Sequence, residues 1–471
     1  MENAVFILDN GQYNSMPSTI SQKLSLTAYS SLLKGGLLLM SPVLLFVPKT
    51  RAGLKQKFGF IDASLKANLI KCKGCIWIHT VSVGEFNGAY PLIEAIRNKY
   101  SHKPLIVSTT TEAGKSLAKK RVGNFAQVIY FPFDLPKIVD YFLTTLEPDL
   151  VIIFETELWP NFIDACATKK IPITMVNARM SPRSFSRYKL SKWFFGPIIN
   201  KLSLVGAQSE AESQRYKEVA GNDLPVQIFG NLKYDWPALL NAEAIENLKI
   251  QLGINKNDLV LIAGSTHADE EKVVLNAYKQ AVAENSINNN KSIKLIIAPR
   301  HPERFDQVAK IIENNGYSAK RYSKNEKLSE PNDVYLLDTI GQLGNFYAIA
   351  SVAFVGGSIA KVGGHNLLEP YLYAVPVVCG QHLFKTKESA TILSKEKALL
   401  IGCKDNEVEN AIRILLNDAK LREQMGKTGQ QWLENNRGAV AKAINAIAGL
   451  LESKKNSSID NETKIGEKIT L

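Results

Sequence analysis

Two doubly wound α/β domains are the architecture that this 471-residue sequence predicts. Short apolar runs rich in Val and Ile alternate with helix-length segments, the pattern of parallel sheets built from βαβ units. The runs form two series, separated by the polar, proline-containing stretch NLKYDWPALLNAEA that starts at Asn231. Glycine- and acid-containing turns follow the runs directly, where such folds bind their ligands. The length suits two or three domains with sizeable cores.

The N-terminus differs from the rest. Leu24 to Pro48 carries one charge, Lys34, and is followed by Lys49, Arg51, Lys55 and Lys57. That spacing predicts a membrane anchor, either a single span or a helix lying in the interface, with its basic flank on the cytoplasmic side. A buried first helix of a soluble domain is the alternative. The first series of strands then covers Cys75–His79, Leu105–Ser108, Gln127–Phe131, Leu150–Phe154, Ile173–Val176 and Leu202–Ala207. The second covers Leu259–Ala263, Lys294–Ala298, Val334–Leu337, Val352–Val355 and Pro376–Cys379. The expected division is an N-terminal extension and anchor (1–48), a first domain (49–235), a second domain (236–452) and a disordered lysine-rich tail (453–471).

Hydrophobic content of 45% and charged content of 22% fit a globular enzyme, and the net charge of +12 suggests an anionic partner or an acidic membrane surface. No dense Lys/Arg block with interleaved aromatics occurs, so nucleic acid is not an expected partner. Cys72 and Cys75 precede a strand instead of opening a helix after one, so they read as structural thiols, and five reduced cysteines suit the cytoplasm.

Ser351 to Pro370, SVAFVGGSIAKVGGHNLLEP, is the most informative segment. A strand, four glycines and a helix-like stretch from His365 form a natural phosphate seat, and Asn366 and Glu369 on one helical face would share a ligand. Glu85 follows the first strand, where it can take a proton from a substrate hydroxyl or simply cap its helix. Glu155 and Glu157 leave the fourth strand as an acidic pair. Lys233 at the seam can offset developing negative charge, or be surface decoration. Arg300 leaves a strand suited to bidentate phosphate binding, with His301 as partner or cap. GSTHADEE from Gly264 reads mainly as a cap, and DTIGQLG from Asp338 opens backbone donors at Gly341 and Gly344.

Other chemistries are excluded by pattern. Thr109 stands where a Walker A loop needs its first glycine, GxGxxG is missing after the first strand, and no HExxH occurs. No Asp-x-Asp is present, so no bound metal and no cofactor is expected. Phosphate charge would be met by Arg300, Lys233, backbone N–H groups and a helix dipole.

The segments IHTVSVGE, STTTEAGK, FETELWPN, NARMS, GNLKYD, GSTH, APRHPER, DTIGQLG and FVGGS…GGHNLLEP, in this order, resemble the Kdo (3-deoxy-D-manno-octulosonic acid) transferases of lipopolysaccharide assembly. The resemblance runs from about Trp77 to Pro376. It implies an inverting glycosyltransferase of GT-B type, two Rossmann-like domains facing a cleft, moving Kdo from CMP-Kdo to the lipid A precursor lipid IVA at the inner membrane surface. It assigns the acceptor to the first domain and the CMP-sugar to the second. Glu85 would be the general base, with Glu155 and Lys233 supporting the transition state. Pro299, Arg300, Ile340, Gly341, Gln342, Asn366, Leu367, Leu368 and Glu369 would hold CMP. Val81 replaces the family's usual alanine, and Gln342 replaces a glutamate, which leaves only a backbone role open there. The competing readings are a membrane-associated GT-B enzyme using a UDP-sugar and a non-catalytic, membrane-tethered nucleotide-binding module. Assaying CMP against UDP release separates the first rival, and CMP binding without turnover would mark the second.

Overall fold

The computed structural model describes residues 20–41, 53–235, 240–288 and 292–469. They divide into two units, one reaching Asp235 and resuming at Arg437, the other Trp236–Asn436.

The first unit holds β1 (Ile76–His79), β2 (Leu105–Thr109), β3 (Gln127–Tyr130), β4 (Leu150–Phe154), β5 (Ile173–Ala178), β6 (Leu204–Ala207) and β7 (Val226–Ile228). All pairings are parallel, in the order β3-β2-β1-β4-β5-β6-β7. Successive side chains of a strand face opposite ways, so a strand buried on both faces can be apolar throughout. In β1, Trp77 joins Ile106, Val151 and Phe162 on one face. Ile76 and Ile78 join Val107, Ile152 and Phe86 on the other. The strand order reverses between β1 and β4, and the crevice outside that reversal is where a doubly wound sheet binds ligand.

The second unit holds β8 (Leu259–Thr266), β9 (Ile293–Pro299), β10 (Ser318–Arg321), β11 (Asp333–Leu336), β12 (Val352–Val355), β13 (Val377–Gly380) and β14 (Leu399–Gly402). Its order is β10-β11-β9-β8-β12-β13-β14, all parallel, with the reversal between β8 and β12. Three of the fourteen strands, β7, β10 and β14, have no counterpart in the expected series. Each lies at a sheet edge, where partial exposure removes the need for a continuous apolar run.

Two expected boundaries are corrected. The second domain does not run to residue 452, because the chain from Arg437 belongs to the first unit. Ala439, Ala443, Ile447 and Leu450, spaced for one helical face, pack with Ile93 and Ile96. The expected start of the tail at residue 453 is no helix end either: the helix beginning at Ala439 continues to Ile469. Extending an existing helix avoids the cost of nucleation, so polar composition does not end it.

The helix Ile20–Leu39 docks on the first unit through buried Leu26 and Ser30. Tyr29 donates to Asp134 at 3.1 Å and Ser30 to the Asn161 Oδ1 at 3.1 Å. Among the described residues no helix is long and apolar enough to cross a membrane. The expected anchor is therefore no span there. Its later part (42–48), the flanking Lys49 and Arg51, and the extension 1–19 lie outside the described residues.

Candidate functional site

In the first unit the predicted residues gather at the β1/β4 switch point. Ser82 caps the helix Val83–Lys99 by accepting from the Glu85 N–H at 3.4 Å, and the Glu85 carboxylate accepts from the Val81 N–H at 2.7 Å. The capping alternative is thus realised, but it engages the Oε2 of the carboxylate and leaves Glu85 half-buried. Burial pushes its pKa above the ordinary carboxylate value. The Val81 N–H and Lys233 pull it down, while Glu155 pushes it further up.

Glu155 directly follows β4 in the left-handed region at φ 61°, its N–H donating to the Val176 carbonyl. A non-glycine residue there stores strain, which turns the chain off the strand. Its carboxylate pairs with the Lys233 Nζ at 2.6 Å. Two residues that the sequence reading passed over make that pair possible. Asn177 accepts the Leu232 N–H at 2.9 Å, fixing the turn that carries Lys233. Gly88 lies under the lysine stem: a Cβ there would come within 2.8 Å of the Lys233 Cε and 3.1 Å of Phe154. A glycine inside a predicted helix was the available signal for such a close approach. Glu157 belongs to the same electrostatic group. Burial, then the charges of Glu85 and Glu155, push its pKa up to about 7.

In the second unit the predicted residues lie on turns at the carboxyl ends of β9, β11 and β12. Pro299 closes β9 and is buried. Arg300 is exposed and forms no ion pair among the described residues. The other arginine of the same motif, Arg304, is committed to structure: it holds the fully buried Glu271 bidentately at 2.7 and 3.0 Å. Spacing alone could not separate the two. Gly341 has φ 95° with open space where a Cβ would stand, beside exposed Ile340. Gln342 accepts from the Asn345 amide at 3.1 Å, so its side chain already has a partner.

Two expectations about Ser351–Pro370 are corrected. His365 to Glu369 form no α-helix; an irregular turn leads into a 3-10 turn at Pro370–Tyr373. Asn366 and Glu369 still meet, because the Asn366 amide donates to the Glu369 carboxylate at 3.0 Å and its oxygen accepts from the Leu368 N–H. Leu367 and Leu368 are buried, so their side chains belong to the core.

The loop after β12 is also no open phosphate seat. The carboxylate of Glu270, itself without solvent exposure, accepts the N–H groups of Gly357, Ser358, Ile359 and Ala360 at 2.8–3.1 Å, and that of His267 at 2.8 Å. An internal anion already fills this cradle. Beside it His267 and His365 stack, their planes 6° apart and their Nε2 atoms 2.9 Å from each other, with His301 edge-on to His267. Burial, then His267 and Arg300, bring the His365 pKa down to about 4. The Arg300 N–H donates to the Thr266 carbonyl at 3.0 Å, next to His267 in the chain. GSTH, read from the sequence mainly as a cap, supplies one member of the pair.

The profile of a family described as 3-deoxy-D-manno-octulosonic-acid transferase (kdotransferase) matches residues 52–236. A 3-deoxy-D-manno-octulosonic acid transferase of Haemophilus influenzae is 33% identical over 407 residues, 86% of this chain and 93% of the relative. A probable mitochondrial one of Arabidopsis thaliana is 31% identical, over 74% of this chain and 78% of its own length. A crystal structure of the C-terminal CMP-Kdo binding domain of WaaA from Acinetobacter baumannii is 33% identical, covering 41% of this chain and 96% of that one at a TM-score of 0.37.

Proposed function

The chain belongs to the Kdo transferase family, and from that premise we propose that this glycosyltransferase moves Kdo from CMP-Kdo to lipid IVA with inversion. The observation that carries the reading is the grouping of Glu85 with the Glu155–Lys233 ion pair at one switch point. Glu85, made more basic by burial, accepts the proton of the acceptor hydroxyl as its oxygen attacks the anomeric carbon of Kdo. The bond from that carbon to the CMP phosphate breaks, and CMP leaves with the electron pair. Lys233, positioned by Glu155, offsets negative charge that develops in this step.

The second unit would hold the leaving nucleotide. Arg300 suits the phosphate, the Glu369 carboxylate can accept from ribose hydroxyls, and the Ile340–Gly341–Gln342 turn and the Leu367–Leu368 backbone supply N–H and C=O groups. Residues 49–235 would then take the acceptor. The helix Ile20–Leu39 supports a membrane-surface location, because Leu24, Leu32, Leu38 and Leu39 are exposed while Leu26 and Ser30 dock. In our reading the enzyme works on the cytoplasmic face of the inner membrane.

The test is mass analysis of lipid IVA incubated with CMP-Kdo and enzyme, with nucleotide release followed in parallel. CMP release coupled to a Kdo-bearing lipid is expected. Glu85→Gln should lower transfer about a hundredfold or more while CMP binding survives. Release of UDP from a UDP-sugar instead, or near-normal transfer by the Glu85 variant, would overturn the assignment.

A further inference from the structure

Lys233 rides on a single 3-10 turn, Leu232–Tyr234. Three residues of 3-10 helix hold no fixed place by themselves, so whatever fastens the turn decides where the ammonium stands. One end is fastened within the sheet. Asn231 accepts the Lys233 N–H at 3.0 Å, and Asn177 at the end of β5 accepts the Leu232 N–H. The other end is fastened by residues far along the chain. The Asp235 N–H donates to the Leu232 carbonyl at 3.2 Å, which closes the turn. The Asp235 carboxylate accepts the Gly438 N–H on Oδ1 at 2.6 Å and the Val440 N–H on Oδ2.

Those two amides open the helix that begins at Ala439. A side-chain cap normally comes from the residue just before the helix, and Gly438 has none to offer. Asp235 supplies it from the turn that carries Lys233, where a carboxylate also meets the positive end of the helix dipole. The clamp thus joins the last residue of the first unit before the chain leaves it to the segment that returns at Arg437. Beside the clamp, the fully buried Leu232 shares one core with Ala439, Ala443, Ile93 and Ile96. Ile93 and Ile96 belong to the helix Val83–Lys99, which carries Glu85 in its first turn and Gly88 under the Lys233 stem. The returning helix therefore backs both the turn that bears the lysine and the helix that bears the base.

We propose that Asp235 is a positioning residue for Lys233, acting through its clamp on the start of the returning helix; the inference rests on the reading of Glu85 and Lys233 as catalytic. The lysine stem is flexible, so its ammonium is held against Glu155 only while the backbone of the turn is held as well.

The test follows kcat, KM and the pH profile of kcat/KM in wild type, Asp235→Asn, Lys233→Met, the double variant and Leu450→Ala. Asparagine keeps one acceptor and turns an NH2 group toward the other N–H. Its kcat should fall about tenfold to a hundredfold, with KM for CMP-Kdo within about twofold of wild type. The acid limb of the profile reports Glu85, which faces the carboxylates of Glu155 and Glu157 and the Lys233 ammonium. Burial raises the Glu85 pKa and Lys233 lowers it, so an ammonium that strays should move the limb to higher pH. Lys233→Met should move the limb the same way, and adding Asp235→Asn to it should cost little more, as for two residues acting through one group. Leu450→Ala loosens the same helix away from the clamp, so it should lower the melting temperature and leave the limb in place. Asp235→Glu, with both acceptors on a longer stem, is the variant to read if Asp235→Asn does not fold, and it should move the limb the same way by less. An unmoved limb in the Asp235 variants, full additivity in the double variant, or an equal move in Leu450→Ala would overturn the proposal. A wild type that transfers no Kdo would instead overturn the functional reading on which it rests.

Discussion

Glu270→Gln should destabilise the second unit by an amount that its hydrogen bonds set. The carboxylate receives five backbone N–H groups, three on Oε1 (Ser358, Ile359, Ala360) and two on Oε2 (His267, Gly357). Burial pushes its pKa up while these donors pull it down. A glutamine in the same place offers one oxygen. Whichever way its amide turns, an NH2 group faces at least two N–H donors. Losing two charge-assisted bonds at about 1.5–3 kcal/mol each amounts to about 3–6 kcal/mol. Alanine would orphan all five groups and exceed about 5 kcal/mol, the lower end of total domain stability, so glutamine is the more informative variant. Urea unfolding followed by circular dichroism should show a lowered midpoint at a similar m value. A change below about 1 kcal/mol would refute the reasoning: the loop amides would then have other acceptors, and the phosphate-seat reading of the glycines would return.

Other outcomes follow from the same geometry. Arg300→Ala and Glu369→Ala should each weaken CMP binding by about 1.5–3 kcal/mol, and Glu85→Gln should leave it nearly unaltered; calorimetry on the three variants checks this. Gly88→Ala should fold yet transfer poorly, because its methyl displaces the Lys233 stem, and a crystal structure with the Glu155–Lys233 pair intact would contradict it. Glu157 binds its proton more tightly in the folded chain than in the unfolded one, so it withdraws stability as pH rises from about 4.5 to about 7. Glu157→Gln should therefore exceed wild type in stability at pH 8 and match it near pH 4, as read from melting temperatures across that range.

Most of the architecture was legible in the chain. Buried parallel strands need unbroken apolar runs such as Leu150–Phe154, and the eleven expected runs cover all ten interior strands of the two sheets and one edge strand, β3. Turns after them named Glu85, Glu155 and Arg300, because a polar residue just past a buried strand has few other reasons to be there. Three of the four edge strands escaped, since a strand such as Ser318–Arg321 satisfies its backbone on one side and needs no apolar pattern. The return of Arg437 onward to the first unit also escaped. An amphipathic helix declares that it has an apolar face, but not which of two similar α/β cores will cover it. The glycine loop shows the same limit at the site itself. Four glycines announce exposed N–H groups, and only the fold decides whether a ligand or Glu270, about ninety residues away in sequence, accepts them. Local pattern fixes which groups are presented, because periodicity and turn chemistry act between near neighbours. Which partner they meet depends on contacts far apart in the chain, and those exist only once both sheets are assembled.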